Sequence, residues 1–371
     1  MKLPGFGCEE WLNVHEKEAT LDIAQSTIAS LTMEELIELG EMSKEEFYEE
    51  IMSKKMNYGW IEGSPEFKEE VSKLYKNVTP EMVLETNGCT GANLLAISAL
   101  VNEGDHVIAM HPSYQQLYDL PRGLGAEVDL WEIDEEHGWM PDLKELRKMI
   151  RHDTRMICIN NANNPTGTIL DRKFLEELVK IASEVGAYIL SDEVYKPMED
   201  IDVPSIVDIY EKGIATNSLS KTYSLPGVRV GWVVAAPEIT DIFRSYRDYT
   251  MICCGVFDDY VATYALKNKE RILKRNHDLI YRNFDILKEW VDKEPRVSLV
   301  FPKHVSVSFI KLDIPIGVEE FCLGLLKDTG VLLIPGNRFD LEGHARLGYC
   351  TRTEILIKGL EKLSEYLRKF D

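Results

Sequence analysis

Short apolar runs alternate with amphipathic stretches through the middle of the chain. His106 to Met110, Ala126 to Trp131, Met156 to Ile159, Ala187 to Leu190, Gly213 to Thr216 and Trp232 to Ala236 each read as a strand. Helical periods lie between them. Asp142 to Ile150 sets Leu143, Leu146 and Ile150 on one face. Asp171 to Val185 sets Phe174, Leu175, Leu178, Ile181 and Ala182 on one face, with Asp171 as the N-cap. Strands alternating with helices predict an α/β domain on a largely parallel sheet. Ligands of such sheets bind in crevices beyond the strand C-terminal ends, where the polar motifs of this chain fall.

From about Asp259 to Lys293 the helical pattern is nearly continuous and leads into a second unit. That unit holds Val297 to Leu312, the amphipathic Val318 to Asp328, the run Val331 to Ile334 and a last helix from about Thr353 to Lys369. The first 45 residues read as helical and acidic, and are expected to pack with it. The predicted division is a large domain over 46–270 and a small one from 1–45 with 271–371.

Composition narrows the function. A chain of 371 residues with 44% apolar and 28% charged residues is an ordinary soluble one, long enough for two domains. The formal net charge of −21 argues against a nucleic-acid or anionic-membrane partner, since both need a basic face. Seven cysteines, an odd number without paired metal spacing, predict reduced thiols, a cytoplasmic setting and no metal site. The first ten residues do not read as a signal peptide, and no 18-residue apolar run occurs.

The chemistry concentrates around Lys221, in Ser218-Leu219-Ser220-Lys221, with Arg229 eight residues on in Gly227-Val228-Arg229-Val230-Gly231. A lysine after a strand is ordinarily a solvated charge. In a semi-buried site its pKa falls and the amine becomes a nucleophile. The flanking hydroxyls and the arginine suit a phosphate. A Schiff-base lysine beside a phosphate anchor points to pyridoxal 5'-phosphate. Asp192, in Ser191-Asp192-Glu193-Val194-Tyr195, ends a buried strand, where a carboxylate is costly unless paired. It reads either as a helix N-cap or as the partner of a pyridinium nitrogen. Asn163-Asn164-Pro165-Thr166-Gly167 is turn chemistry, and the turn would hold the Asn164 amide rigidly. Asn87-Gly88-Cys89-Thr90-Gly91 opens a helix, whose backbone amides suit an anion.

Taken in order, Asn164, Asp192, Tyr195, Lys221 and Arg229 follow one another at gaps of 28, 3, 26 and 8. With Ser-x-Ser-Lys and Asn-Pro-Thr-Gly, this series closely resembles the class I/II aminotransferases of PLP fold type I, from about Tyr58 to Tyr349. The resemblance implies a mostly parallel seven-stranded sheet flanked by helices, plus a smaller α+β domain. It implies that Lys221 carries the cofactor as an aldimine and serves as base, and that the Asp192 charge keeps the ring nitrogen protonated. Tyr195 and Asn164 would bond the phenolic oxygen, and Tyr114 would stack on the ring. Gly88, Cys89, Thr90, Ser218, Ser220 and Arg229 would hold the phosphate. Tyr58 would reach the phosphate of a partner subunit, in a homodimer with shared active sites. Arg346, in Ala345-Arg346-Leu347-Gly348-Tyr349, would fork the substrate α-carboxylate, beside Asn164.

The activity so implied is ping-pong transfer of an amino group between an amino acid and a 2-oxo acid. Two departures stand out. Cys89 replaces a small residue, and Leu21 to Ile28 lacks the family's Gly-x-Pro. The second leaves open a lyase or cyclase of the same fold, C-S lyase or capreomycidine synthase-like. A non-enzymatic regulator of this fold would need a basic N-terminal DNA-binding domain, and these 45 residues are too few and too acidic.

Overall fold

The computed structural model describes residues 2–371. Helix α1 (Gly7–His15) and strand β1 (Leu21–Asp22) come first. Helices α2 (Met33–Leu39) and α3 (Lys44–Met52) each begin with a capping box, Thr32 with Glu35 and Ser43 with Glu46, which satisfies otherwise orphaned N–H groups. Then come α4 (Pro65–Ser72), β2 (Val83–Thr86), α5 (Gly88–Leu100), β3 (His106–His111), α6 (Gln116–Leu124) and β4 (Glu127–Glu132). Next are α7 (Leu143–Met149), β5 (Thr154–Asn160), α8 (Arg172–Val185), β6 (Tyr188–Asp192), β7 (Gly213–Ser218), β8 (Gly231–Ala235) and α9 (Pro237–Arg247). The rest of the chain forms α10 (Val256–Lys267), α11 (Lys269–Val291), β9 (Val297–Ser298), β10 (Ser308–Leu312), α12 (Val318–Thr329), β11 (Val331–Leu332), β12 (Ile334–Pro335), β13 (His344–Leu347) and α13 (Thr353–Leu367).

Seven strands form one sheet in the order β2-β8-β7-β6-β5-β3-β4. The pairs from β7 to β4 are all parallel, while β8 runs antiparallel to both β7 and β2. Both faces are buried. Val107, Ala109, Met156, Cys158 and Leu190 face α5, α6 and α9 in one apolar cluster. The alternate residues Ile108, Met110, Ile157, Ile159 and Ile189 join a second cluster with α7 and α8. This is why these strands read as continuous apolar runs rather than as alternations. As the pattern predicts, Asp171 caps α8, accepting from the Phe174 N–H at 2.9 Å.

Four details depart from the expected pattern. The seventh strand, β2, went unread because Glu85 interrupts its apolar run, although all four of its residues are buried. The helical stretch 259–293 breaks at Asn268, whose side chain bonds the Tyr264 carbonyl at 2.9 Å in competition with the helix ladder. The run Val331 to Ile334 divides: β11 pairs with β1, while β12 pairs with β13 in the small antiparallel sheet β12-β13-β10-β9. The N-terminal 45 residues divide too. The Trp11 indole donates to the Leu333 carbonyl at 2.9 Å and β1 pairs with β11, so this part lies on the C-terminal unit. Leu36 and Ile37 of α2 pack instead with Phe67, Trp232 and Tyr264, beside the large sheet.

Candidate active site

Three parallel strands end on polar residues at the same edge: β5 on Asn160, β6 on Asp192 and β7 on Ser218. The loops beyond them are cross-linked. Asn160 donates to the Asp192 carbonyl at 2.9 Å and accepts from the Asn164 N–H at 2.7 Å. Thr222 donates to the Val194 carbonyl at 2.9 Å, tying the Lys221 loop to the Tyr195 loop. Beyond this edge lies a cavity of about 890 Å³. Cys89, Thr90, Tyr114, Asn164, Asp192, Tyr195, Ser218, Ser220, Lys221, Arg229 and Arg346 all line it.

Two of the singled-out residues do not line it. Gly88 sits under Arg229 with φ at +71°, and a Cβ on it would stand 2.7 Å from the guanidinium, so only glycine fits there. Tyr58 is 77% exposed and lines a separate hollow with Lys54, Trp60 and Tyr260.

The electrostatics of the cavity are set by burial and by few partners. Burial, and then the Arg346 guanidinium, bring the Lys221 amine down to about 8. Its Nζ contacts Thr27 Oγ1 at 3.5 Å. Burial pushes the Asp192 carboxyl above its ordinary value, and hydrogen bonds from Asn93 Nδ2 (2.8 Å) and the Val194 N–H (3.2 Å) oppose that rise. Burial also raises the Tyr195 and Tyr114 phenols and the Cys89 thiol, and the Asp192 charge adds to the rise at Cys89. The Tyr114 hydroxyl lies 3.3 Å from Thr90 Oγ1. Arg346 donates from Nη1 to Asn164 Oδ1 (3.1 Å) and from Nε and Nη2 to the Ala24 carbonyl (3.2 and 3.0 Å). A guanidinium has five N–H groups, so each terminal nitrogen keeps one to offer a carboxylate.

The far wall was not legible in the sequence. Phe6, Glu9, Leu12, Asn13 and Glu16 reach the cavity from α1 and the residues beside it, and Asp22, Gln25, Ser26 and Thr27 from the segment Leu21 to Ile28. That segment gives the Ala24 carbonyl to Arg346 and the Thr27 hydroxyl to Lys221, and the Ser306 hydroxyl bonds the Ser26 carbonyl at 2.5 Å. Asn93 was missed as well. Its only signal was a lone amide among the apolar residues of α5, where it is fully buried.

The donor set fits pyridoxal 5'-phosphate. α5 begins without a side-chain cap from Asn87, so its N-terminal amides stay open to an anion beside Thr90, Ser218, Ser220 and Arg229. A neutralisable amine and a buried acid stand on the walls of the same cavity. Fold and cavity together define an enzyme of this cofactor.

Comparison with known proteins agrees. The family model "Aminotransferase class I and II" matches residues 27–362. A PLP-dependent aminotransferase from Streptococcus suis superposes with a TM-score of 0.98 at 61% identity, covering 100% of this chain and 99% of that one. An aspartate aminotransferase of Thermotoga maritima is 29% identical over 302 residues, 79% of this chain and 77% of its own. Capreomycidine synthase of Streptomyces vinaceus is 28% identical over 372 residues, 98% of this chain and 94% of its own. The chain belongs to the class I and II aminotransferases and is a pyridoxal-phosphate-dependent transaminase acting on amino acids and oxo acids.

Proposed function

We propose that transamination takes place in the cavity at the ends of β5, β6 and β7, with Lys221 as its catalytic base. The observation that carries this reading is one cavity holding an amine brought to about 8, a buried carboxylate and a buried arginine with N–H groups to spare. Bound there, pyridoxal 5'-phosphate supplies the electron sink that lets an amino acid lose its α-proton. Lys221 Nζ takes that proton, its pKa close enough to neutrality for the amine form to be populated. Asp192 holds its negative charge at the ring nitrogen. The Asn164 carboxamide oxygen is engaged by Arg346, which leaves its NH₂ to donate to the phenolic oxygen together with the Tyr195 hydroxyl. Tyr114 covers the ring. Thr90, Ser218, Ser220, Arg229 and the backbone at Gly88 and Cys89 hold the phosphate. Arg346 forks the α-carboxylate.

Residues 46–270 act as the cofactor-binding domain in this reading, and 1–45 with 271–371 as the smaller one. Tyr58 serves the partner's phosphate in a homodimer. Its exposure, together with exposed Met52, Met56, Trp60, Ile61 and Ile252, supports a second copy covering this side. Seven free cysteines support a cytoplasmic setting, and among the described residues no helix is long and apolar enough to cross a membrane.

The segment Leu21 to Ile28 favours a second reading, a lyase or cyclase. Its Ala24 carbonyl occupies part of the Arg346 fork, and the chain aligns with capreomycidine synthase over 98% of its length. One experiment separates the two. The loaded enzyme is incubated with amino acids of acidic, neutral and basic side chain, the range being wide because Glu9, Glu16 and Asp22 line the cavity. Conversion of the cofactor to its pyridoxamine form supports transamination, ammonia released with oxo acid supports elimination, and substrate consumed with neither supports cyclisation. Borohydride reduction should fix the pyridoxyl group on Lys221. A label on another lysine overturns the site.

A further inference from the structure

The Asp192 carboxylate stands at the end of a buried chain of hydrogen bonds. Thr216 Oγ1 donates to Asn93 Oδ1 at 2.6 Å, and Asn93 Nδ2 donates to Asp192 Oδ2 at 2.8 Å. Thr216 and Asn93 are fully buried and Asp192 is 2% exposed. The three residues come from three elements. Asn93 lies in the second turn of α5, Thr216 on β7 and Asp192 on β6, and Asp192 and Thr216 are register partners across the parallel pair. The chain has one consistent polarity. A carboxylate requires a donor, so the amide presents NH₂ to Asp192 and its oxygen to Thr216, where the hydroxyl must donate. Asp192 Oδ1 accepts only the Val194 N–H at 3.2 Å, and it keeps lone pairs for the cavity that the residue lines.

We infer that Asn93, held by Thr216, is a positioning residue that keeps Asp192 ionised and aimed at the ring nitrogen of the cofactor. The inference rests on the reading that Asp192 faces that nitrogen. Its physical basis is simple. A fully buried carboxylate tends to take up a proton, and a donor to its charged form opposes this. Besides Asn93, the Val194 N–H and the Cys89 thiol oppose the rise, and the thiol is the weaker kind of donor. The titratable groups that face it are Lys221 from the loop after β7, Cys89 on α5, Tyr195 beyond β6 and Tyr114 beyond β3. Of these only Lys221 is cationic, and in the working enzyme its amine is engaged with the cofactor. Glu193 turns elsewhere and accepts from the Ile206 N–H at 3.0 Å.

The test measures binding as well as rate. Dissociation constants for pyridoxal 5'-phosphate are measured by equilibrium dialysis across the neutral pH range, in a Lys221→Ala background where no covalent bond to the chain forms. Asn93→Leu and Thr216→Val are compared with Asn93 and Thr216 intact. Every measurement is repeated with the 1-deaza analogue, which has carbon in place of the ring nitrogen. Asn93→Leu is expected to weaken the natural cofactor about tenfold, the change that one pKa unit represents, and more at lower pH. The analogue should change less than about twofold, since it has no charge to pair. Thr216→Val should act in the same direction and more weakly, and it carries the test alone if Asn93→Leu does not fold. With Lys221 restored, the acid limb of the kcat–pH profile should move up by about one pH unit in Asn93→Leu. Equal weakening of both ligands would show a merely structural role and overturn the inference, as would an unchanged preference for the natural cofactor. If the parent chain itself binds both ligands equally, then Asp192 does not face the nitrogen, and the underlying reading fails instead.

Discussion

The molecule holds two buried acid–arginine regions of similar composition and opposite use. At the cavity stand Asp192 and Arg346, each 2% exposed. Where the end of α9 meets β2 stand Glu85 and Arg247, 0% and 1% exposed. Asp192 has a donor on each oxygen, while neither oxygen of Glu85 has a partner. Burial raises both carboxyls. At Glu85 the neighbouring Asp259 adds to the rise, and the carboxyl lies well above its ordinary value. The arginines differ in the same way. Arg346 spends three N–H groups and keeps two for the cavity. Arg247 is turned to the carbonyls of Glu85 and Ile252, and neither it nor Glu85 lines the cavity. Burial and a shifted pKa therefore do not mark the site by themselves. What marks it is a charge fixed by hydrogen bonds on one side and presented to open volume on the other.

The sharpest way to break this comparison is to neutralise each acid in turn. Asp192→Asn keeps the shape and removes the charge, and kcat should fall by several kcal/mol of barrier, about a thousandfold or more. Glu85→Gln should leave kcat unchanged. Near-normal turnover of Asp192→Asn would give the ring nitrogen another partner.

The arginines come next. Arg346→Lys loses the paired fork, and KM for the amino acid should rise by roughly 2–3 kcal/mol equivalent while cofactor affinity holds. Arg247→Met should lower stability by about 1–3 kcal/mol, seen in chemical denaturation, because it strips the donors from the buried Glu85 carbonyl and from that of Ile252. Its KM should stay as in the parent. A KM defect in the Arg247 variant would erase the distinction between the regions.

Tyr58 belongs to neither region and tests whether the site is complete in one chain. Tyr58→Phe should weaken cofactor binding by about 1.5–3 kcal/mol, one hydrogen bond to a charged group. A fully active monomer at high dilution would refute the shared site.

An effect on stability alone concerns Glu85 and pH. Its folded pKa is raised above the ordinary 4.5, so its contribution to stability is complete below about that pH. As pH rises, the unfolded chain ionises first and the contribution is lost, by at most about 1.4 kcal/mol per unit, until the folded group also ionises. Glutamine cannot ionise. The stability of Glu85→Gln relative to the parent should therefore grow between weakly acidic and neutral pH. Parallel curves would mean that Glu85 titrates normally in the folded chain.

The same two regions show what could be read in advance. Asp192, Tyr195, Lys221 and Asn164 each sit in a short polar motif just past an apolar run, Arg229 stands on the approach to the next one, and that pattern is local to the chain. The strands carrying them fall within a residue or two of their predicted ends, because a strand buried on both faces writes itself as a continuous apolar run. Glu85 shows the converse. One charged letter hid β2, since only the packing around it reveals that this carboxyl is buried and its pKa raised.

What the chain determined by itself is therefore the succession of elements and the chemistry at their ends, both fixed by near-neighbour periodicity and turn preference. The tertiary structure alone decided which distant residues meet. Thr27 reaches Lys221 across 194 positions, Ala24 reaches Arg346 across 322, and Thr216 reaches Asn93 across 123. It also decided that β8 runs against its neighbours and that α2 leaves the N-terminal segment to pack beside the large sheet. Such pairings depend on how the crossovers close and on which faces bury each other. No local period records them, because the free energy that selects them is released only when the whole core assembles.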